Sequence, residues 1–218
     1  TCSDGNGVSD GASGSVGGGV AEMDGWLYAV NYSNSTGTHG RILRSSDGAG
    51  WSEVYDSGSS SRYLRDIVAH DGELYAFSVD EGSQNTYQLR SSDGVHWTES
   101  STPARFFRSV SWNGDLYIAS TDRGGSGPSG IWRQTASGWE QVHDESRRYV
   151  TEFASLGGTL FAGTSDGWKD DSGSSALLMS SDGESWSEVC GFDEIAAWSV
   201  TAHEGQIYVG TWEYGSGG

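Results

Sequence analysis

The sequence predicts an all-β protein, a five-bladed β-propeller made of four-stranded antiparallel blades. Two short motifs recur along the whole chain at regular intervals, which indicates a repeat architecture. The chain of 218 residues contains 34 Gly and only two Pro. It shows no helical periodicity of useful length, so short strands joined by glycine-containing turns are expected throughout.

The first motif is Ser-Ser-Asp-Gly-x-x-Trp, which occurs at residues 45–51, 91–97 and 180–186. A degenerate copy carries Trp139, and a fifth copy at residues 2–10 has Val8 in the tryptophan place. Successive anchor residues are separated by 42 to 47 positions from Val8 to Trp186. This period is close to that of a propeller blade, so we expect five blades.

The second motif, Gly-x-(Leu/Ile)-(Tyr/Phe), also occurs five times. Its copies begin at Gly25, Gly72, Gly114, Gly158 and Gly205. Each follows a short apolar run and opens an aromatic run, a pattern that predicts a two-stranded hairpin. A third strand, the Ser-Asp-Gly turn and a fourth strand starting at the tryptophan complete each repeat.

The predicted blades cover residues 17–60, 61–103, 104–147 and 148–194, and the last combines 195–218 with 1–16. Both chain ends would therefore complete the fifth blade and leave no open sheet edge in the ring. Too few residues remain there for a full third strand. A neighbouring subunit or further chain is the alternative source of that strand.

The Ser-x-Asp-Gly-x-x-Trp run resembles a shortened Asp-box, the bacterial neuraminidase repeat, and the repeat as a whole is similar to Asp-box and kelch-like propellers. The resemblance covers nearly the whole chain and implies a structural turn at four aspartates: Asp4, Asp47, Asp93 and Asp182. Such boxes lie on turns remote from the sites where sialidases act. Sialidases also have an arginine triad and a tyrosine nucleophile, which cannot be assigned here, so we do not carry that activity over.

Composition limits the classes of partner. The formal net charge is −18, which disfavours nucleic acid and anionic membranes. Lys169 is the sole lysine beside eleven arginines. This acidity fits either adaptation to high salt or an ordinary acidic secreted protein. No apolar stretch is long enough to span a membrane.

We expect a secreted or cell-surface protein without a cofactor. Asn31 and Asn34 begin N-glycosylation triplets, which would be used only in an exported chain. Cys2 and Cys190 permit a single disulfide, although the predicted topology places them near opposite faces. The cysteines and five histidines give no zinc-type spacing, so no metal site is predicted.

Counting nine residues back from each hairpin aromatic gives the positions expected to line the mouth of the central channel. Three of these are charged and come from consecutive blades, namely Asp66, Arg108 and Glu152. They could form an ion network that fills the channel, or they could bind a polar ligand. A third interpretation makes the two carboxylates acid and base in glycoside chemistry.

Aromatic residues in the loops of the same face suggest a sugar ligand. They are Trp168, Trp198, Trp212 and Tyr214. Exposed rings beside carboxylates suit stacking on sugar rings, while loop packing is the alternative. The acidic loop at residues 166–171 also allows a calcium interpretation, with a solvated loop as the default.

The sequence therefore predicts a secreted acidic propeller that binds carbohydrate through its channel-mouth face, and it favours a binding module over an enzyme without deciding between them. One alternative is a surface-assembly subunit that forms homo-oligomers through its incomplete blade. The other is a glycan-active enzyme that uses Asp66, Arg108 and Glu152.

Overall fold

A computed structural model describes residues 16–32, 39–121, 129–145, 148–166 and 175–212. Within these ranges the chain forms eighteen β-strands. It divides into two compact units, residues 1–106 and 107–218. The described part of the chain contains no helix that is long and apolar enough to cross a lipid bilayer.

The first unit contains two four-stranded antiparallel sheets, with their strands in chain order. The first sheet consists of β1 (Val16–Met23), β2 (Trp26–Tyr32), β3 (Arg41–Ser45) and β4 (Ser52–Asp56). The second consists of β5 (Arg62–His70), β6 (Glu73–Asp80), β7 (Thr86–Ser91) and β8 (Thr98–Ser101).

The second unit repeats this pattern and extends it. One sheet holds β9 (Phe106–Trp112), β10 (Asp115–Ser120), β11 (Gly130–Thr135) and β12 (Gly138–Asp144). A six-stranded sheet holds β13 (Tyr149–Leu156), β14 (Thr159–Ser165), β15 (Ser175–Ser180), β16 (Ser187–Phe192), β17 (Ala196–His203) and β18 (Gln206–Trp212).

Within the described residues, the fifth repeat is a hairpin, β17–β18, whose strand pairing with the fourth repeat is between Ser165 and Ala196. The chain ends expected to complete its blade are residues 1–16 and 213–218, and all of these except Val16, which begins β1, lie outside the described residues. The predicted closure by the two chain ends therefore stays a prediction.

All five predicted hairpins are present, and each turns through two residues with positive φ. The turn pairs are Asp24-Gly25, Asp71-Gly72, Asn113-Gly114, Gly157-Gly158 and Glu204-Gly205, with φ between 47° and 87°. Two consecutive left-handed residues define the type I′ turn, whose twist matches that of the flanking strands. Glycine at the second position relieves the steric cost of this conformation.

The Ser-Asp-Gly turns share one hydrogen-bond pattern. In the first copy, Asp47 Oδ1 accepts hydrogen bonds from the amides of Ala49 and Gly50 at 2.8 and 2.9 Å. The amide of Gly48 donates to Ser45 Oγ at 2.9 Å. The turns centred on Asp93 and Asp182 repeat these bonds. The carboxylate thereby satisfies amides that the turn leaves without backbone partners.

The two motifs interlock between consecutive repeats of a unit. A Cβ atom added at Gly94 would lie 1.9 Å from the hydroxyl oxygen of Tyr28, in the preceding sheet. A Cβ added at Gly183 would lie 2.0 Å from that of Tyr117. Both tyrosines are 1% exposed. We call this contact of a hairpin tyrosine with the turn glycine of the next repeat the tyrosine seat.

The motif tryptophans pack in the same interfaces. Trp97 contacts Tyr55 of the preceding sheet edge-on, with ring centroids 6.4 Å apart. Trp186 contacts His143 of its preceding sheet at 6.2 Å. Each unit has its own hydrophobic cluster, centred on leucine, isoleucine and alanine side chains of the inner strands. Burial between stacked sheets is therefore the main stabilising contribution within each unit.

We predict that Gly183→Ala lowers the free energy of unfolding by more than the cost of placing alanine in a left-handed backbone conformation. The left-handed φ of 77° costs alanine about 1–2 kcal/mol. The collision with Tyr117 adds about 1–3 kcal/mol of overpacking. Gly158→Ala is the matched control, because Gly158 has φ of 80° and no atom within 4 Å of an added Cβ. Equal losses in urea unfolding would contradict the tyrosine seat.

We also predict an acid-dependent loss of stability at Asp182. Backbone hydrogen bonds from Ser185 and Glu184 lower the pKa of Asp182 from 3.8 to about 2. Because the folded pKa lies below the unfolded value, the stabilisation is present above pH 3.8 and lost as pH falls towards about 2.

Urea unfolding across that pH window should show a smaller acid-induced loss for Asp182→Asn than for the native chain. Asp193→Asn, which removes an exposed carboxylate outside the turn, serves as the control for charge. Parallel pH profiles of the native chain and Asp182→Asn would show that the turn carboxylate does not stabilise the fold through its charge.

Candidate functional site

A β-bulge interrupts the first strand of four repeats, at the positions that residue counting assigns to the channel mouth. The register shifts fall between Gly17 and Val20, Leu64 and Asp66, Val150 and Glu152, and Ala197 and Ser199. A bulge leaves one residue outside the ladder and redirects its side chain, and such irregularities are frequent next to active sites. Three extra residues are Arg65, Thr151 and Trp198.

Two of these bulges are held together in the second unit. The hydroxyl of Thr151 donates a 2.5 Å hydrogen bond to the carbonyl oxygen of Ala197. This bond joins β13 to β17 at the level where both strands depart from regular pairing. Glu152 and Trp198 are the next residues on the two strands, so their backbones are close neighbours.

Glu152 is paired with Arg108, and both are among the three charged positions named from the sequence. Arg108 Nε lies 3.4 Å from Glu152 Oε2, while Glu152 Oε1 accepts the amide of Phe153 at 3.1 Å. About a third of the Glu152 side chain is exposed. Burial raises the pKa of Glu152 above 4.5, and the positive charge of Arg108 opposes that rise. The site thus offers a partly accessible carboxyl group and a guanidinium.

Two predicted ligand-binding tryptophans lie side by side in the same unit. The rings of Trp198 and Trp212 have centroids 6.4 Å apart and planes tilted by 54°. They are 46% and 43% exposed. The pairing of Ala196 with Trp212 across the hairpin, followed by the bulge, brings the two rings together. Large exposed aromatic side chains are unusual on a soluble β-sheet and are common in binding sites.

Asp66 belongs to the first unit and is buried, with 6% exposure. It faces Gly19 of β1, where an added Cβ would lie 1.9 Å from Asp66 Oδ1. A glycine in the neighbouring strand therefore makes room for the carboxylate. Within its unit Asp66 is a buried side chain, and its predicted role as a ligand-binding residue stays a prediction.

An arginine cluster near Asp66 was not predicted. Arg65 and Arg105 both donate to the hydroxyl of Tyr63 at 3.1 Å. Arg105 also pairs closely with Glu81. Both arginine side chains are almost 90% buried. The place of Arg65 next to the counted position Asp66 was the available signal, but nothing in the sequence connects Arg65 to Arg105 forty residues later.

Several predicted positions lie outside the described residues, namely Asp4, Asn34, Trp168, Tyr214 and Cys2. The acidic loop proposed for calcium falls there except for Asp166. Asn31 is described, and its Oδ1 accepts the amide of Arg41 at 2.7 Å. Cys190 is exposed on β16. In the part of the chain that the structure covers, no group of three or more acidic, histidine or cysteine side chains could hold a metal ion.

No protein-family model and no curated protein matches the sequence. Solved structures with a similar fold do exist. An exo-β-1,3-galactanase from Clostridium thermocellum has a TM-score of 0.55 at 13% identity, covering 80% of this chain and 47% of that chain. The GH43_1 enzyme from Xanthomonas citri, complexed with xylotriose, has a TM-score of 0.52 at 11% identity, covering 89% and 80%.

A nidogen/laminin complex gives a TM-score of 0.62 at 14% identity, covering 91% of this chain and 73% of that chain. Because identities are so low, these likenesses show the fold alone. They relate the antiparallel four-stranded sheets of this chain to β-propellers. The chain spans about half of the Clostridium enzyme, so that enzyme's activity does not transfer with the fold.

We predict that Glu152 titrates above the usual range of glutamate, and that Arg108→Gln raises its pKa further by removing the opposing charge. Carboxyl-detected NMR titration measures both values. Arg133→Gln, which removes an arginine paired with Glu140 and Glu184, is the control and should leave Glu152 unchanged. An equal pKa in the native chain and Arg108→Gln would contradict the pairing.

Proposed function

We propose that the protein binds carbohydrate at a surface of the second unit formed by Trp198, Trp212, Arg108 and Glu152. The observation that carries the proposal is the exposed pair Trp198–Trp212 on strands whose bulge is tied to that of Glu152. We refer to these four residues as the tryptophan site.

The chemistry of the site suits a sugar chain. Indole rings stack on the apolar faces of sugar rings, and a carboxylate with a guanidinium supplies acceptors and donors for hydroxyl groups. The two rings are tilted, so they fit successive sugar units of a twisted chain better than one flat aromatic ligand. A net charge of −18 disfavours strongly anionic glycans. We therefore propose neutral polysaccharides as the ligand class.

Two of the structures with a similar fold contain bound oligosaccharides, which supports a carbohydrate ligand. One is an exo-β-1,3-galactanase from Phanerochaete chrysosporium with β-1,3-galactotriose, and another holds xylotriose. The proposal extends to Trp168 and Tyr214 as further contacts. We also propose that the protein is secreted or lies at the cell surface and that Asn31 and Asn34 carry N-glycans. Its acidity is then an adaptation to high salt.

The finer architecture belongs to the same proposal. Five type I′ hairpins and five copies of the turn motif support five blades and an Asp-box type of repeat. Residues 1–16 would complete the last blade. Turn roles for Asp4, Asp47, Asp93 and Asp182 follow from the same repeat.

Glycoside hydrolysis is the second candidate, supported by the raised pKa of Glu152. A carboxyl group that stays protonated at higher pH is suited to general acid catalysis. Hydrolysis also requires a second carboxylate at a defined separation, a role proposed for Asp66. Loss of turnover of a polysaccharide in both Glu152→Gln and Asp66→Asn would support this candidate, and unchanged turnover would end it.

Our main prediction is that the native chain binds neutral oligosaccharides on a glycan array and that Trp198→Ala and Trp212→Ala each weaken binding about tenfold or more. Both residues are almost half exposed and lie outside the buried hydrophobic cluster of the second unit, so each substitution removes a stacking surface and leaves that cluster intact. Affinity for the best array ligand is then measured by calorimetry.

Trp26→Ala is the matched control, because Trp26 packs against Arg44 in the first unit. It should bind like the native chain. Loss of affinity in the control, or full affinity in both site variants, would contradict the tryptophan site.

A further inference from the structure

Trp198 is the extra residue of the bulge in β17, so it stands opposite no residue of β18. Ala197 pairs with Thr211 and Ser199 pairs with Gly210, which leaves Trp198 outside the ladder. Trp198 is 46% exposed, whereas Ala197 is fully buried. The place of the indole ring therefore depends on how the backbone on either side of Trp198 is held.

The backbone before Trp198 is held by a buried hydroxyl group from a neighbouring strand. Thr151 is the extra residue of the bulge in β13, and unlike Trp198 it is only 2% exposed. Its Oγ1 donates a hydrogen bond to the carbonyl oxygen of Ala197 at 2.5 Å. A buried hydrogen bond of this kind fixes the peptide group that accepts it. Because that peptide group leads directly into Trp198, the bond also restrains the tryptophan.

A missing side chain in β14 allows the two strands to come this close. A Cβ atom added at Gly163 would lie 2.6 Å from the carbonyl oxygen of Ala197 and 3.0 Å from Thr151 Oγ1. It would also lie 2.8 Å from Val200 Cγ2. The φ of Gly163 is outside the left-handed region, so its backbone conformation does not require glycine. Glycine at this position instead makes room for the neighbouring backbone.

The backbone after Trp198 is closely packed as well. Ser199 faces Gly210 of β18, and a Cβ atom added at Gly210 would lie 2.5 Å from Ser199 Oγ. The same strand carries Trp212, whose ring centroid lies 6.4 Å from that of Trp198. Both neighbours of Trp198 are therefore held against strands of the sheet, and one of these strands carries the partner ring.

We propose that Thr151 is a positioning residue of the tryptophan site. Its hydroxyl group holds the bulge of β17 so that Trp198 stands beside Trp212 before a sugar binds. Thr151 is buried, so it acts through the backbone of Ala197. Rings that are already arranged lose little conformational entropy on binding, which favours affinity. The effect on sugar affinity rests on the proposed function, whereas the arrangement of the two rings does not.

Thr151→Val tests the hydrogen bond, because valine keeps the shape of threonine and lacks the hydroxyl group. Two indole rings this close couple and give a couplet in circular dichroism, which is assigned by its loss in Trp198→Phe and in Trp212→Phe. We expect Thr151→Val to weaken this couplet and to bind the best array ligand about two- to tenfold more weakly. Thr151→Ser keeps the hydroxyl group and should retain both the couplet and the affinity.

Thr164→Val is the matched control. Thr164 is a fully buried threonine of the same sheet, and its hydroxyl group donates to the carbonyl oxygen of Ala176 in β15 at 3.2 Å. Loss of a buried hydrogen bond should lower its stability in urea, as it does for Thr151→Val. Because this bond lies outside the bulge of β17, Thr164→Val should keep the couplet and the sugar affinity of the native chain.

Gly163→Ala displaces the same peptide group by a second route, since the added Cβ atom meets the carbonyl oxygen of Ala197. It should also weaken the couplet, and it provides the test if Thr151→Val does not fold. Urea unfolding identifies the variants that fold.

The proposal is overturned if the native chain gives no couplet from these two rings, or if a folded Thr151→Val or Gly163→Ala keeps the full couplet. An equal loss of the couplet in Thr164→Val would overturn it as well. A weakened couplet with unchanged sugar affinity would refute the link between ring arrangement and binding. If the native chain binds no sugar while Thr151→Val weakens the couplet, the proposed function fails and the positioning role stands.

Discussion

The stacking of consecutive sheets within each unit depends on a tyrosine ring seated against a glycine that has a left-handed backbone. The ring can approach this closely because the glycine has no Cβ, and the glycine is at that place because the turn requires positive φ. The aspartate one residue earlier holds the turn through two backbone amides. The close packing of the ring, the positive φ of the turn and the hydrogen bonds of the turn thus all depend on two adjacent residues, Asp and Gly.

The functional surface uses a different part of each repeat. Turn and seat lie at one end of the strands, while the bulges lie near the start of the first strands. At a bulge the side chain is released from the alternation of the sheet, so Trp198 can point to solvent although neighbouring Ala196 and Ala197 are buried. Residues of the tryptophan site can therefore be substituted without disturbing the packing that holds the sheets together.

Local features of the fold were predictable from the sequence because local physics determines them. A glycine marks each of the five hairpin turns, and an Asp-Gly pair marks each of the three complete Ser-Asp-Gly turns, since few other residues adopt those conformations. The burial of Asp66 was not predictable, because it depends on Gly19 in another strand. The cluster of Arg65 with Arg105 likewise depends on pairing between distant segments. The adjacency of Trp198 and Trp212 required knowledge of strand register as well as sequence.

The tyrosine seat also has a consequence for the order in which the chain is made. A two-residue turn lets each hairpin form within microseconds, long before the next repeat leaves the ribosome. The ring of Tyr28, however, has no glycine to rest on until Gly94 has been synthesised, 66 residues later. The nascent repeats that carry Tyr28 and Tyr117 therefore hold an uncovered aromatic side chain for several seconds, at about 5–20 residues per second. The growing chain is most exposed to chaperones and to misassociation during these intervals.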